Sequence, residues 1–133
     1  MGAQIDWGEL GARAWVARLK AYAPYSKFAV GAAAITDTGE IFAGCNVENV
    51  SFGLTICAER VAVSSAVAEG FRALAGIALA ADTEKAVLRC GACCQILAEF
   101  NPRLESYRSG GGSEERPFAP TDIPSPFVGL PRV

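Results

Sequence analysis

The sequence predicts an α/β domain, a mixed sheet with helices packed on it. The chain alternates helical and extended patterns in the order helix, hairpin, helix, strand, helix, strand. Its 133 residues are enough for one domain with one core. No internal repeat divides it, so residues 1–133 are expected to form a single domain with a proline-rich tail over 117–133.

Each element has a local reason. Asp6 and Glu9 stand at capping-box spacing, and Leu10, Ala14, Ala17 and Ala21 then fall on one helical face. Pro24 is expected to end this helix, because the residue before a proline avoids the α region. "KFAVGAAAI" (27–35) reads as a strand buried on both faces, "TDTG" (36–39) as a hairpin turn and "EIFAGCNV" (40–47) as the return strand. "ENVSFGLT" (48–55) is a loop whose last residue, Thr55, is a helix start signal. A helix over 57–70 stops at Gly70, and a strand follows over 76–82. A helix over 91–100 ends near Asn101-Pro102, and a last strand is expected over 103–109. "GGGSEERP" (110–117) reads as a flexible link.

Composition narrows the function. Half the residues are apolar and a fifth charged, as in soluble globular proteins. A net charge of −2 gives no bulk attraction to nucleic acid or to an anionic membrane. No apolar run approaches the roughly 18 residues of a spanning helix. The first residues lack the basic-then-apolar pattern of a secretory signal. Five cysteines is an odd number, and Cys93 and Cys94 are adjacent. That pattern argues against a disulfide framework and for a reducing, cytoplasmic setting.

The chain has no histidine. Ser-His-Asp and Cys-His pairs are therefore excluded, and a zinc site must use thiolates or carboxylates. Cys57 lies at the expected start of the second helix, and Cys90 and Cys93 bracket the start of the third. A Cys-x-x-Cys turn lets two thiolates reach one ion, and helix N-termini favour thiolate over thiol. Arg60 is placed to offset the surplus negative charge of three thiolates. Three protein ligands leave a fourth position for water, as catalytic zinc requires. Glu59, two residues after Cys57, can move protons for that water without binding the metal. Taken singly, Cys-x-x-Cys is also a redox spacing, and a glutamate in a first turn is also a dipole-favoured acid. Together, Cys57-Ala58-Glu59 and, about thirty residues on, Cys90-Gly91-Ala92-Cys93 match the three-cysteine signature of zinc deaminases.

With "YAPYSKFAVGAAAI", "GCNVENVSFGLTICAER" and "CGACCQILAEF" in this order, the chain resembles the small, tetrameric cytidine deaminases of nucleoside salvage. The likeness runs from about Ala21 to Phe100. The resemblance implies a three-layer α/β/α sandwich around a five-stranded mixed sheet. It implies zinc-dependent hydrolysis of cytidine or deoxycytidine to the uridine product and ammonia. It implies that Cys57, Cys90 and Cys93 hold zinc and that Glu59 carries protons to N3 of cytosine and to the leaving ammonia. Asn46 and Glu48 would bind the sugar 3′-hydroxyl, and Phe28 would pack on the pyrimidine. The Ala58 N–H and the Cys90 region would hold the base edge. Arg60 would damp the charge of the sulfurs. The resemblance further implies a homotetramer with shared active sites, to which Phe52 and Phe118 would contribute rings.

The chain departs from the family at several points. Arg89 and Cys94 replace a proline before and an arginine after Cys-Gly-x-Cys, so Arg89 becomes a candidate for the lost positive charge. Phe52 replaces a frequent tyrosine, and "FAPTDI" stands for the family's Phe-Gly-Pro-x-Asp-Leu. These changes bear on substrate range, where a deaminase of another aminopyrimidine nucleoside such as blasticidin S is the rival. A catalytically weak homologue or a structural zinc module is the rival from a different class. Structural zinc normally has four protein ligands, and only Cys94 could add one nearby.

Overall fold

The computed structural model describes residues 4–82, 91–110 and 113–114. Helix α1 (Trp7–Arg18) starts where its cap predicts, with the Asp6 side chain accepting from the Glu9 N–H at 3.0 Å. Strands β1 (Val30–Thr36) and β2 (Ile41–Cys45) form the hairpin. Helix α2 (Ala58–Ala68), strand β3 (Leu74–Ala81), helix α3 (Gly91–Phe100) and strands β4 (Glu105–Gly110) and β5 (Ser113–Glu114) follow.

The sheet order is β2-β1-β3-β4-β5. Four strands of five to eight residues carry it, and the two-residue β5 borders β4. β1 is antiparallel to β2 and β3, whereas β3 and β4 are parallel, so the sheet is mixed. The parallel pair needs a long crossover, and α3 lies within it. Side chains alternate across β1, as strand geometry requires. Ala32 and Ala34 pack with Ala58, Ala62, Val63 and Leu97 of α2 and α3. Ala33 faces Leu10 and Ala14 of α1 on the other side. Helices thus cover both faces, which is why β1 reads as a continuous apolar run.

The helices sit close to the sheet. A Cβ on Gly31 would lie 1.9 Å from the Ala14 carbonyl oxygen and 2.6 Å from the Arg18 nitrogen. One on Gly44 would lie 2.5 Å from the Ala62 nitrogen and 2.7 Å from the Ala58 oxygen. The hairpin turn is held by Thr36 and Thr38, whose hydroxyls both donate to Glu40 Oε2, and Gly39 takes a positive φ of 95°.

Several boundaries differ from the sequence reading. α1 ends at Arg18 rather than at Pro24, because Tyr22 turns away to pair its backbone with Asn46 and Glu48. β1 begins three residues late, after Lys27 adopts a left-handed φ of 62°. Thr55 does not cap α2. Its hydroxyl accepts from the Asn49 N–H at 3.2 Å, and Cys57 takes the N-cap position. Ser113 and Glu114 form a strand inside the segment expected to be a link. Cys45 is half-buried. With Arg13, Lys20 and Val61 it lines a cavity of about 380 Å³ between α1, β2 and α2. The proline-rich tail lies outside the described residues.

Candidate active site

Cys57 caps α2 in extended backbone (φ −74°, ψ 154°), and its side chain makes no capping hydrogen bond. Ala58, the first helical residue, presents one of the N–H groups that a helix start leaves without an intrahelical partner. Glu59 follows in the first turn and is buried, at 5% exposed. A carboxylate persists in such a place only with polar partners or an ion. Cys93 is fully buried in the first turn of α3, which packs against α2 on the same face of the sheet. Arg60 is half-buried just beyond Glu59.

Three of the expected substrate-binding residues, Phe28, Asn46 and Glu48, are tied together beside the segment that leads into α2. Val47 exchanges two backbone hydrogen bonds with Ile56, at 2.9 and 2.8 Å, and Ile56 immediately precedes Cys57. On either side of Val47, Asn46 and Glu48 both reach back to the segment before β1. The buried Asn46 amide accepts from the Val30 N–H at 2.9 Å and donates to the Phe28 carbonyl at 2.9 Å. Glu48 Oε1 accepts from the Tyr25 and Ser26 N–H groups at 3.0 and 3.1 Å, and Oε2 accepts from the Ser26 hydroxyl. Phe28 is in the loop before β1 and 39% exposed, a ring at the surface rather than in the core. The backbone pairing thus joins Phe28, Asn46 and Glu48 to the strand segment that leads into Cys57. Sequence reasoning missed Ser26. Its only local signal is a hydroxyl two residues before an aromatic, a common turn-forming arrangement.

The Ser26 hydroxyl, helped by the Ser26 and Tyr25 N–H groups and by Lys27, holds the Glu48 carboxyl below the usual glutamate value of 4.5, against the opposing effect of burial. A depressed folded pKa means that the clamp is fully present above the ordinary value. It is lost as pH falls through the lower, folded one. A carbon-detected NMR titration of Glu48 is expected to show a midpoint below 4.5. The Ser26→Ala variant should move it upward. A Glu48 midpoint that the substitution leaves in place would contradict this account.

Phe52 sits on a 3-10 turn (Phe52–Leu54) and is 88% exposed, so its ring does not fold back on the chain. Cys90, Arg89 and Phe118, and the side chain of Cys94, lie outside the described residues. Among the described residues no three Cys, Asp or Glu side chains form a metal-holding group, and the expected third ligand is Cys90. The donors that are described fit zinc in kind. They are thiols at two helix starts on one sheet face, with a buried carboxylate two residues from the first.

A cysteine at the start of each of two helices on one face of a mixed sheet, with that glutamate beside the first, is the donor pattern expected of a zinc-dependent deaminase. Residues 9–106 match the family described as the cytidine and deoxycytidylate deaminase zinc-binding region. The cytidine deaminase of Sporosarcina psychrophila is 49% identical over 96 residues, 72% of this chain and 71% of that protein. The cytidine deaminase of Mycobacterium tuberculosis is 45% identical over 95 residues, 71% of each chain. The crystal structure of cytidine deaminase from Burkholderia pseudomallei superposes with a TM-score of 0.88 at 43% identity, covering 92% of this chain and 100% of that one. The chain belongs to the cytidine and deoxycytidylate deaminase family, whose members are zinc-dependent hydrolytic deaminases. Among the described residues no helix is long and apolar enough to cross a membrane.

Proposed function

We propose that the enzyme converts cytidine and deoxycytidine to uridine and deoxyuridine with release of ammonia. The observation that carries this reading is the buried Glu59, in the first turn of the helix that Cys57 opens. Cys57, Cys90 and Cys93 would hold the metal. When bound, zinc supplies a Lewis acid that makes water a nucleophile near neutral pH. Glu59 takes one proton from the attacking water and passes it to N3 while the C4–O bond forms. It then moves the remaining hydroxyl proton to the amino group, the C4–N bond breaks, and ammonia leaves. In this reading the Ala58 N–H holds the base edge and Phe28 packs on the ring. Glu48 has one acceptor site left after its three donors, and a sugar 3′-hydroxyl fits it.

Residues 1–133 act as one domain in this reading, and β5 begins the fifth strand of a three-layer sandwich. Exposed Phe52 and, from the tail, Phe118 reach neighbouring pockets of a homotetramer. The reaction belongs to the cytoplasm, where thiolate ligands stay reduced. Arg60, with Arg89, offsets the charge of the thiolates.

Metal content and substrate range test the proposal together. Purified protein is expected to bind about one zinc per chain and to consume cytidine and deoxycytidine, followed by absorbance loss. Cys57→Ala and Cys93→Ala should lose the metal, whereas Cys94→Ala should keep it. Retention by Cys57→Ala with loss by Cys94→Ala would refute the ligand set. Turnover of blasticidin S alone would refute the substrate.

A further inference from the structure

A carboxylate at a surface loop has three soft torsions, and holding it toward a ligand costs side-chain entropy. Something must aim Glu48. The only side chain that bonds it among the described residues is Ser26, through Oγ to Oε2, and the Ser26 and Tyr25 N–H groups fix the other oxygen. The same Ser26 oxygen accepts from the Phe28 N–H at 3.0 Å. That bond turns the single hydroxyl proton toward Glu48, because a hydroxyl donates only once. At its other end the Phe28 peptide is held by Asn46. Lys27, between Ser26 and Phe28, adopts the left-handed φ of 62° that a lysine rarely takes, and its N–H donates to the Ala23 carbonyl at 3.0 Å. Such a backbone outlier persists where the surroundings over-determine it.

We infer that Ser26 is a positioning residue that aims two groups from one oxygen, the carboxylate assigned to the sugar and the backbone carrying the ring assigned to the base. This rests on the reading of Glu48 as the sugar contact. Loss of the hydroxyl frees Glu48 to swing and leaves the Phe28 N–H without its acceptor. The chemistry at Glu59 is untouched, so substrate binding weakens while turnover at saturation holds.

The test compares cytidine with 3′-deoxycytidine, which lacks the 3′-hydroxyl, in the zinc-loaded full chain. Ser26→Ala is expected to raise the KM for cytidine roughly tenfold, the scale of one hydrogen bond to a charged group. Zinc content and kcat should stay near those of the unmodified enzyme. The preference for cytidine over 3′-deoxycytidine should fall toward that of Glu48→Ala, and Ser26→Thr, which keeps the hydroxyl, should restore it. If Glu48→Ala abolishes the preference and Ser26→Ala keeps it, the positioning role is overturned and the sugar contact stands. If Glu48→Ala itself keeps the preference, the sugar contact is overturned. A drop in kcat and zinc content in Ser26→Ala that threonine fails to rescue would make Ser26 a folding residue only.

Discussion

The Glu59→Gln enzyme is expected to fold, bind zinc and lose nearly all turnover. A positioned general acid–base group contributes about 10² to 10⁴ in rate. Glu59 carries both transfers in the proposed sequence, so the loss should lie at the upper end. Glutamine keeps the shape and burial of the side chain (5% exposed in the native structure) while removing the ability to take a proton. Metal analysis, melting temperature and single-turnover rates separate the effects. Unchanged metal and melting with a collapsed rate place the defect in proton transfer. A zinc-loaded variant turning over at a near-normal rate would remove Glu59 from the mechanism.

Gly31→Ala is expected to be the most damaging conservative change in the scaffold. The added methyl would sit 1.9 Å from the Ala14 carbonyl oxygen and 2.6 Å from the Arg18 nitrogen, both backbone atoms of α1. No rotamer change can clear them, so α1 must lift from β1. Overpacking typically costs about 1–3 kcal/mol and occasionally more, and this site belongs at the top of that range. Against a total stability of about 5–15 kcal/mol, a fall in melting temperature on the order of 10 °C follows. Gly53→Ala is the matched control, because nothing lies within 4 Å of the methyl it would add. Equal melting temperatures for the two variants would mean that α1 is not pinned to the sheet as described.

What the sequence shows depends on how far apart the interacting residues are. Asp6 and Glu9 are one turn apart, and their cap was legible. The Cys-Ala-Glu and Cys-x-x-Cys spacings are also local, and they led to the start of α2 and the first turn of α3. The alternation of Ala32, Ala33 and Ala34 was legible as a strand buried on both faces because β1 is central. The end of α1 was not, since it depends on Tyr22 pairing with Asn46 and Glu48 more than twenty residues on. Thr55 resembled a helix cap for want of its actual partner, Asn49 in the preceding loop. Ser26 and Glu48, 22 residues apart, meet only once the hairpin has folded.

The parallel pairing of β3 with β4 also sets an order of events in folding. The β1–β2 hairpin closes over a turn of a few residues, whereas β4 reaches β3 only after α3 has crossed the face of the sheet. On a growing chain the N-terminal elements emerge first, so β4 becomes available to pair after β1, β2 and β3. Cys57 and Glu59 enter the structure with α2, but Cys93 enters with α3, inside the late crossover. A nascent chain can therefore hold the antiparallel half of its sheet, and half of the proposed catalytic centre, before the second thiol-bearing helix docks. An intermediate lacking β4 would be inert rather than partly active, and recovery of activity on refolding should lag behind recovery of the hairpin.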